Sequence, residues 1–345
     1  MDQGYELFMD FILHQDFSEI TPEAWNELVE QSIAATPFSR FEYLSQWWKT
    51  LGGGEWTRQR AELVLVSATE NGQLIGIAPL FITEYDGQQA LMLVGSIEIS
   101  DYLDLIVREG DLKRFLSGLL DFLVSNDKSW SVVDWYNIPD SSPTLAALKA
   151  EAEGRGWSHH EEMYRPTPRI PLHGSFDDYL SRIDKKQRHE IRRKMRRAAE
   201  SEKNVRFYVV DTTENIDSEI DAFFHLMIQS PEKEQFLHPP MREQMAVTIQ
   251  NAHKHGYLWL AFLEVDGTKT AASLNFDYRN KLWGYNSGVS NEHRELSPGW
   301  VLLAHTIQWC CENGRYEFDF MRGDEEYKYR FGGVNTYVMR VKVNK

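Results

Sequence analysis

The densest group of chemically able side chains lies between Trp283 and Gly333. Gly284-Tyr285-Asn286-Ser287-Gly288 ends a predicted strand, and Ser297-Pro298-Gly299 opens a predicted helix. Each of those last three residues has a physical use at a helix start. Ser297 caps, Pro298 fits the first turn, and Gly299 lets a ligand approach the backbone. The free N–H groups and the helix dipole there favour an anion such as pyrophosphate. Downstream, Phe318-Asp319-Phe320-Met321 reads as a strand. It runs into Arg322-Gly323-Asp324-Glu325-Glu326-Tyr327-Lys328-Tyr329-Arg330-Phe331-Gly332-Gly333. A strand that ends in glycine-rich turns crowded with Arg, Asp, Glu, Tyr and Lys is unusual for a plain connector. Ligand sites in α/β sheets lie at the carboxyl ends of strands.

Several other chemistries have no anchor in the sequence, which carries no GxxxxGK[ST], GxGxxG, GxSxG or HExxH motif. The two cysteines, Cys310 and Cys311, are adjacent and offer neither a long-range staple nor a CxxC site. No metal site is expected.

The elements that must position the cluster form a weak repeat. Residues 63–66 read as a strand, Asn71-Gly72 as a tight turn and 74–81 as the partner strand. Residues 257–265, Asp266-Gly267 and 270–278 repeat the pattern. Both halves continue alike, with a further strand (90–94; 281–287), a loop, an amphipathic helix (111–125; 298–313) and another strand (130–136; 316–321). The expected fold is α/β, two copies of one unit, each with a mixed sheet, because hairpin strands are followed by a crossover helix and a parallel strand. Flanking helices are expected from Pro22 to about Ile33 and from Arg40 to about Thr50, the second ending at Gly52-Gly53-Gly54. Residues 165–171 hold three prolines and cannot be helical. Residues 165–174 therefore read as a linker between a first unit at 1–164 and a second at 175–345.

The chain has 345 residues, 42% hydrophobic and 26% charged, enough for about two domains. No apolar run approaches the ~18–20 residues of a membrane span. The acidic opening Met1-Asp2-Gln3-Gly4-Tyr5-Glu6 does not read as a signal peptide, so a cytoplasmic protein is expected. A net charge of −15 argues against broad, unspecific binding to nucleic acid. The segment 182–197 departs from that average, with nine Lys/Arg against two acids. It is expected to lie in one helix capped by Ser175, with a narrow apolar seam at Phe176, Leu180, Ile183, Ile191 and Met195. The outward face is either a solvated charged surface or a dock for phosphates. In the second case the partner is a nucleotide-linked precursor, a tRNA acceptor arm or an anionic lipid.

Residues 319–332, with Ser287-Gly288 and Ser297-Pro298-Gly299 before them, resemble a group of GNAT-superfamily acyltransferases. This is the CelD-like group, linked with cellulose and exopolysaccharide synthesis. Ser175-Phe176-Asp177-Asp178-Tyr179-Leu180, Ser100-Asp101-Tyr102-Leu103-Asp104 and Pro37-Phe38 resemble the same group. The Tyr327-Lys328-x-x-Phe331-Gly332-Gly333 segment is also similar to the Phe-Lys-x-x-Phe-Gly ending of Fem-type aminoacyl-tRNA-dependent peptidyltransferases.

The resemblance implies tandem GNAT-like units and transfer of an acyl group to an amine or hydroxyl. It implies acetyl-CoA or another acyl-CoA as co-substrate, held by Arg294, Ser297, Gly299 and Trp300. The family has Arg/Gln-x-x-Gly-x-Gly/Ala there. This chain departs from it, because Ser297 replaces the first glycine and Pro298 removes an N–H donor. In the first half the matching loop is acidic, so that unit is expected to be a pseudo-domain shaping the acceptor groove. Asp101, Tyr102, Asp104 and Arg322 are the expected acceptor contacts, although the aspartates read equally as turn residues and Arg322 as a brace for its loop. By analogy with the Fem-type lysine, Lys328 is expected to stabilise the charge of a tetrahedral intermediate. Tyr327 positions the acceptor, Asp319 and Glu326 are candidate bases, and Tyr285 is a candidate proton donor.

The leading function is an acyl-CoA-dependent N- or O-acyltransferase acting on a sugar or amine in envelope polysaccharide synthesis. The alternatives are an aminoacyl-tRNA-dependent transferase and a non-catalytic scaffold that binds a glycan or an assembly partner.

Overall fold

The computed structural model describes residues 9–126, 128–211 and 216–345, so the opening residues read above for a leader lie outside it. The chain divides into two units, residues 1–165 with 337–345, and residues 166–336. The first unit runs β1 (Asp10–His14), α1 (Pro22–Gln31), α2 (Phe41–Gly54), β2 (Glu62–Glu70), β3 (Gln73–Tyr85), β4 (Gln88–Leu93), β5 (Ile106–Val107), α3 (Leu112–Ser125), β6 (Val132–Pro139), α4 (Pro143–Gly154) and β7 (Ser158–Pro166). The second begins with β8 (Arg169–Pro171), α5 (Phe176–Arg182), α6 (Lys185–Ala199), β9 (Val205–Val209), α7 (Ile216–Met227), α8 (Pro231–Phe236) and α9 (Pro239–Lys254). It continues with β10 (Leu258–Val265), β11 (Thr268–Tyr278), β12 (Lys281–Val289), α10 (Pro298–Glu312), β13 (Glu317–Asp319) and α11 (Glu326–Arg330), and β14 (Tyr337–Asn344) ends the chain.

The repeat is present in three dimensions. The first sheet is ordered β1-β2-β3-β4-β6-β14-β7, with β5 against β3, and the second β8-β13-β12-β11-β10-β9. In each, two hairpins lead through a crossover helix into a parallel strand, β4 beside β6 and β12 beside β13. Both sheets are therefore mixed. The leading hairpin of each unit turns on a pair with positive φ, Asn71-Gly72 at 52° and 76° and Asp266-Gly267 at 51° and 80°. That left-handed pair matches the twist of the flanking strands. In the second unit α5, α6 and α10 bury Leu180, Ile191 and Val301 with Trp259, Leu282 and Phe318 of the sheet. Among the described residues no helix is long and apolar enough to cross a membrane.

One arrangement in the first unit imitates a serine–histidine–carboxylate relay. His14 Nε2 lies 2.7 Å from Ser67 Oγ, and Nδ1 lies 3.2 Å from Glu19 Oε2. Ser67 is only 3% exposed, so the relay ties β1 to β2 and does not meet a substrate.

Three features differ from the sequence reading. The basic segment is split between two helices, because Asp184 accepts from the Lys186 and Gln187 amides and starts a new helix after an extended Ile183. The expected linker at 165–174 contains β8, which pairs with β13 through Ile170 and Phe318. The chain end leaves the second unit. β14 joins the first sheet beside β6, so the boundary falls at Thr336 and not at 345. Strand β6 is buried from Val132 to Ile138 and needs a neighbour on that edge. The alternating Val338, Val341 and Val343 supply an apolar face.

Candidate active site

The site of the second unit begins where its two parallel strands separate. β12 pairs with β13 only from Lys281 to Trp283, and β13 ends at Asp319 while β12 runs on to Val289. On the other side of β12 the register passes from Leu274 opposite Asn286 to Asn275 opposite Gly284. Tyr285 is thus the extra residue of a β-bulge, which bends the strand away from its neighbour. Gly284 sits at the fork, where a Cβ would come within 3.1 Å of the Asp319 carbonyl.

Beyond the fork lies a cleft of about 510 Å³. It is lined by the end of β12, the start of α10, the end of α7 and α8, and it contains Arg294, Ser297, Gly299 and Trp300 together. The turn before α10 is tighter than an open anion cradle. His293 and Ser297 both adopt left-handed backbone, with φ of 52° and 54°. The Leu296 amide donates to the His293 carbonyl at 2.9 Å, and the Ser297 amide to that of Arg294 at 3.0 Å. The Ser297 side chain makes no capping bond, contrary to expectation, because the left-handed backbone is not the extended conformation a cap needs. Trp300 meets the Phe331 ring at 4.7 Å in a tilted arrangement, under the Lys194 ammonium at 4.0 Å, and its buried Nε1 has no partner among the described residues.

Lys233 of α8 completes the cleft, and no motif in Ser230-Pro231-Glu232-Lys233 marks it in the sequence. Its Nζ donates to Asn286 Oδ1 at 3.0 Å and to the Ser287 carbonyl at 2.5 Å. Burial pulls its pKa below the ordinary lysine value, against the nearby Glu325 carboxylate.

The polar stretch after β13 is a braced loop. Asp319 is 1% exposed and meets Lys281 Nζ at 2.8 Å, while its Oδ1 accepts from the Met321 amide at 2.7 Å. Lys281 also meets Glu317 at 2.6 Å. Burial opposes its charge, yet Asp319 and Glu317 hold its pKa above the ordinary value. Lys328, 2% exposed, donates to the carbonyls of Met321, Arg322 and Gly323 at 3.3, 2.8 and 3.2 Å and meets Glu325 at 2.9 Å. An ammonium has three donors, and these acceptors occupy all of them. Lys328 thus holds the loop, and Asp319 anchors its start. The sequence reading expected both to serve the reaction, and the structure shows them bracing this loop. Tyr327 is 41% exposed with its ring against Phe320, Glu326 is exposed and pairs with Arg330, and Tyr285 is half-buried at the bulge. These three remain accessible.

The matching loop of the first unit, 94–104, is filled by protein groups. Trp56 Nε1 donates to the Ser96 carbonyl, Glu55 accepts from the Ile97 amide, and Asn137 Nδ2 donates to the carbonyls of Ile97 and Ser100. Tyr102 is buried and Asp101 half-buried there, whereas Arg322 belongs to the second unit. Asp104 is 5% exposed and accepts from Ser142, from Thr144 Oγ1 at 2.6 Å and from the Leu105 amide at 2.8 Å. It anchors the start of α4 and is not available to an acceptor, which corrects the expectation.

Burial raises the Asp104 pKa to about 6, against the hydrogen bonds from Ser142, Thr144 and Leu105. An unfolded aspartate titrates near ~3.9. The folded state therefore holds the proton more tightly, and this residue weakens stability as pH rises from about 4 to about 6. Relative to wild type, Asp104→Asn should gain about 2–3 kcal/mol between pH 4 and pH 7. Urea unfolding at the two pH values reads the gap, and an unchanged gap would refute the assignment.

Comparison with known proteins bears on this geometry. An acetyltransferase (GNAT) domain family matches residues 185–329, which include α6, the cleft and Lys328. The second unit carries a GNAT-type domain. FemX has a similar structure over 96% of both chains, with a TM-score of 0.67 at 12% identity. L-PGS from Bacillus licheniformis is similar over 94% of this chain and 92% of its own, at 0.57 and 12%. The C-terminal DUF2156 domain of a putative lysylphosphatidylglycerol synthetase from Agrobacterium fabrum is similar over 94% and 91%, at 0.53 and 13%. No curated protein matches the sequence. At such identities the likeness concerns the fold, which is tandem GNAT-like. The matched domain supports a transferase of the acyltransferase type.

Proposed function

We propose that the chain moves an acyl group from acyl-CoA, such as acetyl-CoA, to an amine or hydroxyl, with a sugar of an envelope polysaccharide as the acceptor class. The observation that carries this reading is the cleft at the open end of β12, which holds two cations and no carboxylate. The donor's diphosphate would lie at Arg294, Ser297 and Gly299, beside Trp300. Its pantetheine arm would follow the edge of β12 that no strand covers from Gly284 onward. The acceptor nitrogen or oxygen attacks the thioester carbonyl, the C–S bond breaks, and CoA leaves as its thiol while the acceptor's proton is taken up. Tyr285, Glu326 and Tyr327 are the accessible groups for that proton. The filled loop of the first unit supports a role for that unit in shaping the acceptor groove. Acyl-CoA as donor accords with a cytoplasmic location.

Calorimetric titration with CoA and acetyl-CoA tests the reading. A Cβ at Gly299 would lie 2.8 Å from Val289 Cγ2, so Gly299→Asp adds both bulk and negative charge. Micromolar binding that weakens at least ~30-fold in this variant, about 2 kcal/mol, is the expected result. No binding of either ligand, together with no thioester turnover, would refute the acyl-CoA reading.

One observation favours a second reading, an aminoacyl-tRNA-dependent transferase. Lys185, Lys186, Arg196 and Arg197 are exposed on α6 and carry no carboxylate partner among the described residues. Four phosphate contacts there would give tRNA binding a log–log salt slope of about −3 to −4. A flat salt response would remove this reading.

A further inference from the structure

The cleft carries its charge on side chains and not on the backbone. The amides of Leu296 and Ser297 are turned into their own 3-10 turn, and Pro298 has none. The two cations come from separate elements, Arg294 from the turn before α10 and Lys233 from α8. Neighbouring cations are neutralised, with Lys203 on Glu295 at 2.8 Å and Lys328 on Glu325 at 2.9 Å. Arg294 donates instead to Asn291 Oδ1, and Lys233 to Asn286 Oδ1 and the Ser287 carbonyl. Neither has a carboxylate within ion-pair distance among the described residues, and no Asp or Glu lines the cleft. The carboxylate that acts on Lys233, Glu325, lies beyond ion-pair distance and is already paired with Lys328. A largely buried ammonium whose hydrogen-bond partners are neutral oxygens is incompletely compensated, and an entering anion completes it with charge-assisted hydrogen bonds.

We propose that Lys233 and Arg294 together bind the diphosphate of the donor, in place of the amide cradle that the 294–299 turn has closed. The inference rests on the acyl-CoA reading for the identity of the donor, but the chemistry it needs is the phosphate anion alone. Lys233 reaches across the end of β12 and holds the Ser287 carbonyl, so it also couples anion binding to the open edge of that strand. An anion at Nζ stabilises the charged form of Lys233, so binding should weaken at alkaline pH as that charge is lost.

The test is calorimetric titration of the full chain with CoA and, separately, with inorganic pyrophosphate. Wild type is compared with Lys233→Met, Lys233→Gln and Lys233→Arg, and with Lys254→Met, an exposed residue of α9, as a control outside the cleft. The expected result is at least a tenfold loss of affinity for both ligands in Lys233→Met and Lys233→Gln. Lys233→Arg should retain most of the affinity and Lys254→Met all of it. Binding of both ligands within twofold of wild type in the two neutral variants would overturn the proposal and leave the acyl-CoA reading standing. Lys233-dependent binding of pyrophosphate without binding of CoA would support the proposal and remove the acyl-CoA reading. Failure of wild type to bind either ligand would overturn both. Unfolding temperatures of the variants establish that they fold, and Lys233→Gln, which keeps a donor for Ser287, carries the comparison if Lys233→Met does not.

Discussion

Lys328→Met should lower the stability of the chain by about 3–5 kcal/mol, the range for breaking a buried charged network by removing one partner. Lys328 is 2% exposed, and its ammonium is the donor for three successive carbonyls, those of Met321, Arg322 and Gly323. The variant leaves those carbonyls short of a donor and releases Glu325. Met321 is held there at a φ of 59°, in the left-handed region a side chain rarely adopts. Without the ammonium that backbone keeps the Met321 amide bond to Asp319 but loses the donor to three carbonyls, and the loop should open. At about 2–4 °C per kcal/mol for a unit of this size, the unfolding temperature should fall by roughly 10 °C. Thermal unfolding followed by thioester turnover separates structure from chemistry. An unfolding temperature within about 2 °C of wild type, with turnover down about 100-fold, would restore Lys328 as the group that stabilises the intermediate.

Lys281→Met should be about as damaging, again by roughly 3–5 kcal/mol. The variant takes the ammonium from two carboxylates, Glu317 and Asp319, that lie 2.6 and 2.8 Å from it in the interior of the second unit, and leaves Glu317 with Arg169 at 3.7 Å. Burial penalises both negative charges once the ammonium is gone. Urea midpoints at pH 7 measure the loss, and an unchanged midpoint would show that the triad contributes nothing net. The damage should reach the cleft, because Asp319 ends β13 at the fork and holds the Met321 amide.

The lining of the cleft was more legible in the sequence than the bracing of the loop after β13. Arg294, Ser297, Gly299 and Trp300 lie within seven consecutive residues and reach the cleft as one turn and the start of one helix. Proximity along the chain was enough to group them. Lys328 and Asp319 looked catalytic by residue type and position at a strand end. Their partners, however, are backbone carbonyls of the intervening loop and Lys281 of a neighbouring strand. A lysine reads the same in sequence whether it faces a ligand or three carbonyls. Lys233 shows the converse, a lysine in a stretch without a motif that a short helix delivers to the cleft.

By itself the sequence determined the features whose causes are local. Asn71-Gly72 and Asp266-Gly267 impose left-handed turns, and with them the β2–β3 hairpin of the first unit and the β10–β11 hairpin of the second. Prolines at first helical turns and the 3.6-residue apolar periodicity set α1 and α10, and the order of these elements made the repeat visible. The tertiary structure alone decided which sheet edge each late strand joins, where the basic segment breaks, and which charges are neutralised. β14 follows the second unit in the chain, yet it pairs with β6 of the first sheet. Those choices depend on groups far apart in the chain meeting at hydrogen-bond distance. Hydrophobic pattern and turn chemistry carry no information about such meetings until the strands are in register.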